Sequence, residues 1–87
     1  MKIPDGFIIR EVAGNHIAVA TGEASKKFNC MITVNGSGKI LFETLQKGAE
    51  RNELVDVLLN TYEVQRDVAE RDVDKFIAKL AEAGLFD

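Results

Sequence analysis

The segment Asn35-Gly36-Ser37-Gly38-Lys39 contains the residue types that hold phosphate groups in nucleotide-binding loops. It follows a strand-like run and opens a helix-like run, which is the context that such a loop requires. The spacing is wrong, because Thr33 stands where the first glycine is required and Ile40 stands where a Ser or Thr would hold magnesium. We therefore interpret the segment as a helix start, with Asn35 capping the amides of the first turn.

The side chains that usually form catalytic or metal sites are isolated in this sequence. His16 is the single histidine and Cys30 the single cysteine, and neither has a partner close by in the chain. Cys30 falls on the predicted inward face of a strand, where a free cysteine behaves as a small hydrophobe. The fourteen acidic residues are scattered and form no pair in an apolar context. The sequence therefore predicts no enzyme, no metal site and no cofactor.

The last predicted helix carries a row of positive charge. Arg71, Lys75 and Lys79 recur every fourth residue along one edge of its apolar stripe, and Val68 and Asp72 lie within that edge. Like charges at this spacing repel each other by roughly 0.2–0.5 kcal/mol. An anionic partner would offset this repulsion. The alternative interpretation is a solvated edge on which the long side chains spread apart.

Length and composition define one small globular domain, residues 1–87. The chain is 46% hydrophobic and 29% charged, which are values of an ordinary folded domain. The formal net charge of −3 argues against a nucleic-acid partner, since phosphate binding needs clustered positive charge. No apolar run is long enough to span a membrane, and the first residues do not form a signal peptide. Together with the single cysteine, these features predict a cytoplasmic protein.

Strand patterns occupy the first part of the chain. Phe7–Val12 and His16–Thr21 are predicted strands, and the turn Ala13-Gly14-Asn15 joins them into a hairpin. The polar run Gly22–Lys27 predicts a mobile loop. Phe28–Val34 predicts a third strand. Its inward face consists of Phe28, Cys30, Ile32 and Val34.

Helical periodicity occupies the remainder. The spacing of apolar residues predicts helices over Gly36–Gln46, Glu50–Thr61 and Gln65–Ala83, with Gly48 and Gly84 as stop signals. Three strands followed by three helices indicate an α+β domain. The predicted apolar faces consist of Ile40, Leu41, Thr44 and Leu45, then Leu54, Val55, Leu58 and Leu59, and finally Ala69, Val73, Phe76, Ile77 and Leu80.

The order and spacing of several short runs resemble the PqqD-like family of peptide-binding domains, also called RiPP recognition elements. The resemblance covers nearly the whole chain. It rests on residues 28–35, Leu41-Phe42-Glu43 with Leu45 and Gly48, Glu53-Leu54-Val55, Tyr62-Glu63-Val64, Asp72-Val73, Phe76, Leu80 and Ala83-Gly84-Leu85.

The chain departs from the family pattern at four positions. The family usually has tryptophan where Phe42 stands and often has glycine where Cys30 stands, and Phe42 keeps the aromatic bulk. It also has a Thr or Ser cap near Glu50 and an Asp cap near Gln65. Each missing cap would cost about 1 kcal/mol of helix stability.

The resemblance implies a winged helix-turn-helix-like fold, with a three-stranded antiparallel sheet followed by three helices. Family members are non-catalytic. They bind the leader segment of a ribosomally synthesised precursor peptide and present it to a modifying enzyme, commonly a radical SAM enzyme. The leader adds a strand to the third strand and lies between that strand and the third helix. The implied peptide-binding residues are Asn29, Cys30, Met31, Ile32, Thr33, Val34, Val68, Arg71, Asp72 and Lys75.

A winged-helix DNA-binding regulator is the alternative, because a fold does not fix a function. The predicted third helix, residues 65–83, carries four basic and five acidic residues, a net charge of −1. A recognition helix is usually basic. The oligomeric state stays open between a monomer and a dimer that exchanges strands.

Overall fold

The computed structural model describes residues 1–28 and 31–86. Three strands form one antiparallel sheet in the order β1-β2-β3, and helices follow, which confirms the predicted α+β fold. The elements are β1 (Phe7–Val12), β2 (Asn15–Ala20), α1 (Ala24–Lys27), β3 (Met31–Val34), α2 (Gly36–Lys47), α3 (Arg51–Thr61) and α4 (Arg66–Glu82). In the described ranges, no helix is both long and apolar enough to cross a membrane.

A two-residue loop closes the β1–β2 hairpin. Ala13 and Gly14 both have positive φ, 53° and 84°, and they connect Val12 directly to its cross-strand partner Asn15. A two-residue loop with positive φ at both residues matches the twist of the two strands, and glycine adopts positive φ at little steric cost. The loop is therefore one residue shorter than predicted, and β2 starts at Asn15 instead of His16.

The segment predicted as a mobile loop, Gly22–Lys27, is instead organised around a single helical turn, α1. The Ser25 hydroxyl donates to the Gly22 carbonyl at 2.6 Å, and the Phe28 amide donates to the Ala24 carbonyl at 2.8 Å. Ala24 is buried against Gly6, where an added Cβ would lie 2.8 Å from the Ala24 Cβ. Most of the segment is exposed, as its polar composition predicted, but the buried Ala24 holds it against the rest of the domain.

One hydrophobic core joins the inner face of the sheet to α2, α3 and α4. Phe42 is completely buried, and the ring of Phe7 meets it edge-on at a centroid distance of 6.1 Å. Ile3 closes one end of the core, and its amide donates to the Leu45 carbonyl at 3.0 Å. The buried helical residues confirm the predicted faces: Leu41 and Leu45, then Leu54, Val55 and Leu58, then Ala69, Val73, Phe76 and Leu80.

The helix starts follow the predicted signals, with a compensating contact at Glu50. The Asn35 side chain accepts a hydrogen bond from the Gly38 amide at 2.7 Å, which confirms the predicted cap. Glu50 lacks a Ser or Thr cap, as the sequence indicated, but a capping-box contact compensates in part. Its amide donates to the Glu53 carboxylate at 3.2 Å. Gln65 makes no side-chain cap bond.

The predicted stop signals lie at the ends of α2 and α4. Gly48 follows α2, and Gly84 lies just past α4 with a φ of 81°. The Leu85 amide then donates back to the Leu80 carbonyl at 3.1 Å, which closes the last turn. This closure buries Leu85 in the core and fixes the end of α4.

Candidate functional site

Among the described residues, β3 forms an edge of the sheet, with β2 on one side and no strand on the other. Its side chains alternate between the two faces. Ile32 and Val34 are buried, as predicted, whereas Thr33 is exposed and Met31 is 72% exposed. The remaining predicted edge residues, Asn29 and Cys30, lie outside the described residues. The side of β3 that faces away from β2 is called the free edge below.

The alternation of hydrogen-bonding groups along each strand determines which backbone groups of β3 face the free edge. Thr21, just past β2, donates its amide toward β1 at an N···O distance of 2.7 Å. Successive residues of a strand direct their backbone groups to opposite sides, so Ile17 and Val19 also face β1. Their partners across the β2–β3 pair are Thr33 and Met31. The amide and carbonyl groups of Thr33 and Met31 therefore point to the free edge.

A cleft of about 180 Å³ lies beside this edge, between the end of β3 and α4. Gly38 allows its walls to approach closely, because an added Cβ would lie 3.0 Å from the Val34 Cβ and 3.3 Å from the Phe76 ring. The segment that resembles a phosphate loop thus contributes Asn35, Ser37 and Gly38 to the lining of this cleft. The lining residues are Val34, Asn35, Ser37, Gly38, Leu41, Asp72, Lys75, Phe76 and Lys79.

The structure brings part of the predicted helix surface to this cleft. Asp72 and Lys75 line it directly. Val68 and Arg71 are exposed on the preceding turns of α4 and do not belong to its lining. The predicted site residues on α4 therefore divide into a pair at the cleft and a pair beyond it.

Lys79 lies at the cleft although it was not among the predicted site residues. Its Nζ donates a hydrogen bond to the backbone carbonyl of Thr33. This contact links α4 to β3 and agrees with the outward direction of the Thr33 carbonyl. Its position four residues after Lys75, in the same row, was the sequence signal that identified it as part of this surface.

The opposite side of α4 is held by an ion pair. The Arg51 guanidinium on α3 donates to both carboxylate oxygens of Asp74, at 2.6 and 3.0 Å. This hydrogen bonding lowers the pKa of Asp74 from its ordinary value, against a smaller opposing contribution from desolvation. Among the described residues, Arg71 and Lys75 form no ion pair. The arrangement leaves Arg71 and Lys75 available to a ligand.

A second depression of about 400 Å³ lies next to the first turn of α2. It shares Asn35 and Ser37 with the cleft and adds Tyr62 and Val64 from the segment between α3 and α4. Tyr62 and Val64 are both more than one-third exposed, at 39% and 38%. An apolar surface thus adjoins the cleft on the far side of the α2 start.

The fold and the cleft define a small α+β domain in which an open sheet edge lies beside a helix. The chain belongs to the PqqD family, described as coenzyme PQQ synthesis protein D, whose family model matches residues 10–85. This membership confirms the resemblance noted in the sequence. No functionally curated protein matches the chain.

Two solved structures are similar to this chain. One is TbiB1 in complex with the TbiA(beta) leader peptide, at 24% identity and a TM-score of 0.72, covering 98% of this chain and 93% of that one. The other is lasso peptide synthetase B1 complexed with the leader peptide, at 18% identity and a TM-score of 0.68, covering 97% and 93%. At these identities the similarity establishes the fold.

Proposed function

We propose that this protein is a non-catalytic module that binds the leader segment of a ribosomally synthesised precursor peptide and presents it to a radical SAM enzyme or another peptide-modifying enzyme. The single observation that carries the proposal is the free edge of β3 beside the cationic wall of α4. The two similar structures support it, since both are complexes with leader peptides.

The free edge supplies the affinity in this proposal. An extended peptide can add to an exposed strand, and its main-chain hydrogen bonds contribute binding energy without depending on its sequence. The amide and carbonyl groups of Met31 and Thr33 are the pairing groups in the described part of β3. Asn29 and Cys30, the two residues before Met31, stay in the proposal as peptide-binding residues because of the family resemblance. The buried Ile32 and Val34 contribute by holding β3 against the core.

The cleft supplies the selectivity. Side chains of an added strand alternate between the two faces of the sheet, so every second one would point toward α4. There it would meet Phe76 and Leu41 at the apolar floor and Lys75 and Asp72 at the wall. Arg71 and Val68 would contact the peptide one turn further along α4. An acidic leader matches this surface best, because the basic row would then be neutralised.

No observation favours the DNA-binding alternative. The observed α4 has the same charge balance as the predicted helix, four basic and five acidic residues. One of its arginines, Arg66, lies 3.7 Å from Asp56 on α3. A net-negative helix is a poor element for a groove lined with phosphates.

Titration calorimetry with the leader of the precursor encoded next to this gene tests the proposed function. Thr33→Pro removes an amide that faces the free edge and leaves the β2–β3 hydrogen bonds in place. Thr33→Val is the matched control, because it keeps that amide and the new side chain has nearly the same volume as threonine. We expect Thr33→Pro to weaken binding at least tenfold, or 1.4 kcal/mol, and Thr33→Val to bind like the wild type. Equal affinity for all three proteins would contradict strand addition.

A further inference from the structure

We propose that Lys79 caps the free edge of β3 in the unbound protein and selects for an acidic residue in the strand that displaces it. The capping function stands on the structure alone. The selection function rests on the proposed strand addition and identifies a specificity-determining residue within that site.

The capping function follows from the direction of the Thr33 carbonyl. This carbonyl faces away from β2, so it lacks a partner within the sheet. Lys79 supplies one by reaching from α4 and donating its ammonium hydrogen. Lys75 lines the same cleft, but among the described residues it makes no hydrogen bond or ion pair. Lysine at an open edge also discourages pairing with another copy of the same strand.

An incoming strand competes with Lys79 for the same oxygen. In an antiparallel addition, the peptide residue opposite Thr33 both accepts the Thr33 amide and donates its own amide to the Thr33 carbonyl. The ammonium of Lys79 then loses its acceptor beside the apolar ring of Phe76. Lys79 is exposed, so water can solvate the displaced ammonium. A carboxylate on the added strand would instead offer it a charge-assisted hydrogen bond, which is stronger than a bond between neutral groups.

The protein itself does not supply that acceptor at the cleft. Asp72 is the carboxylate in the cleft lining, and it lies seven residues before Lys79, about 10 Å along the helix axis. A peptide residue adjacent to the one paired with Thr33 directs its side chain to the inner face of the sheet, toward α4. A carboxylate at that position can accept from Lys79. Recognition would thus exchange a lysine–carbonyl bond for a lysine–carboxylate bond.

The capping function is tested without any ligand. In Lys79→Met the stem is kept and the ammonium is removed, and Lys75→Met is the matched control from the same cleft. We expect the Thr33 carbonyl carbon resonance to shift upfield in Lys79→Met and to keep its position in Lys75→Met. We also expect Lys79→Met to self-associate more strongly in sedimentation equilibrium. An unchanged Thr33 carbonyl resonance in Lys79→Met overturns the capping function.

The selection function is tested with peptides enriched on the wild-type protein from a random display library. A peptide that protects the Thr33 amide from exchange is made in its acidic form and with only the carboxylates next to the residue paired with Thr33 changed to amides. We expect the wild type to prefer the acidic form about threefold to tenfold, and Lys47→Met, which removes an exposed ammonium at the far end of α2, to keep that preference. Lys79→Met should lose this preference and bind the amide form more tightly than the wild type does.

The two possible failures are distinguishable. If Lys79→Met keeps the preference for the acidic form, the selection function is wrong although strand addition stands. If no enriched peptide protects the Thr33 amide, strand addition itself fails and selection at this edge fails with it. In that case the carbonyl resonance of Thr33 still decides whether Lys79 caps the edge.

Discussion

Arg51 on α3 and Asp74 on α4 form a bidentate ion pair, with N···O distances of 2.6 and 3.0 Å. The pair fixes the acidic side of α4 against α3. The burial of Ala69, Val73, Phe76 and Leu80 sets the rotation of α4, and Lys75 and Lys79 then lie on the side that faces the cleft. The ion pair adds a contact to α3 on the side of α4 away from the free edge.

Asp74→Asn should lower the thermal unfolding midpoint at neutral pH, because it removes the charge from a paired carboxylate. The pKa of Asp74 is lowered in the folded state by its hydrogen bonds to Arg51. Its stabilising contribution is therefore fully present above the unfolded value of about 3.9 and is lost as the pH falls through the lower folded pKa. Melting curves of wild type and Asp74→Asn should converge below about pH 4.

Asp56→Asn provides the matched control for that measurement. Asp56 also pairs across α3 and α4, but through one exposed contact of 3.7 Å to Arg66. Exposed single contacts contribute little to stability. The midpoint should therefore change less in Asp56→Asn than in Asp74→Asn. A pH-independent difference between wild type and Asp74→Asn would show that the ion pair does not stabilise the α3–α4 packing.

Gly36 and Gly38 should respond differently to the same substitution. Both lie in the first turn of α2, where alanine improves helix propensity by about 1 kcal/mol. At Gly36 the added methyl group meets only the Tyr62 hydroxyl, at 3.8 Å, so Gly36→Ala should be neutral or stabilising. At Gly38 it meets the Val34 Cβ at 3.0 Å, so Gly38→Ala should be less stable than Gly36→Ala by about 1–3 kcal/mol.

Urea unfolding of the two glycine variants measures this difference directly. Gly38→Ala should also weaken leader binding, because the cleft opens when Phe76 and Val34 move apart. Equal free energies of unfolding for both variants would mean that the close approach of α2 to β3 is not required for the fold.

Reversing the charges of Arg71 and Lys75 should weaken leader binding by more than about tenfold, or 1.4 kcal/mol. The physical reason is the loss of a cationic wall beside the added strand. The effect should shrink as salt is raised, since exposed charges are screened. The double reversal Lys2→Glu and Arg10→Glu makes the same change in net charge at exposed positions away from β3. It should leave the affinity nearly unchanged, and equal losses in both variants would indicate a non-specific effect of net charge.

The sequence predicted the features that depend on local pattern. Apolar spacing identified the inner face of α4, from Ala69 to Leu80, and Asn35 was identified as a cap from its side chain and position. The row from Arg71 to Lys79 was also visible. These predictions succeeded because helix periodicity and capping act over a few residues.

The features that sequence reasoning missed depend on contacts between distant segments. The turn α1 forms because Ala24 packs against Gly6, which no local pattern encodes. Lys79 reaches Thr33, whereas Arg71 does not. Which residue of the basic row lies beside β3 depends on how the whole core positions α4. The direction of the Thr33 backbone groups toward the free edge depends on two features. The short Ala13-Gly14 loop, which fixes the β1–β2 pairing, had a sequence signal, but the β2–β3 register did not.

Hydrogen exchange at individual amides of β3, with and without the leader peptide, tests the central claim most directly. The amides of Met31 and Thr33 face the free edge, whereas those of Ile32 and Val34 pair with β2 and serve as internal controls. Strand addition predicts that Met31 and Thr33 exchange rapidly in the free protein and become protected when the leader binds, while Ile32 and Val34 are protected in both states. Leader binding that leaves the Met31 and Thr33 amides as rapidly exchanging as before would contradict the account.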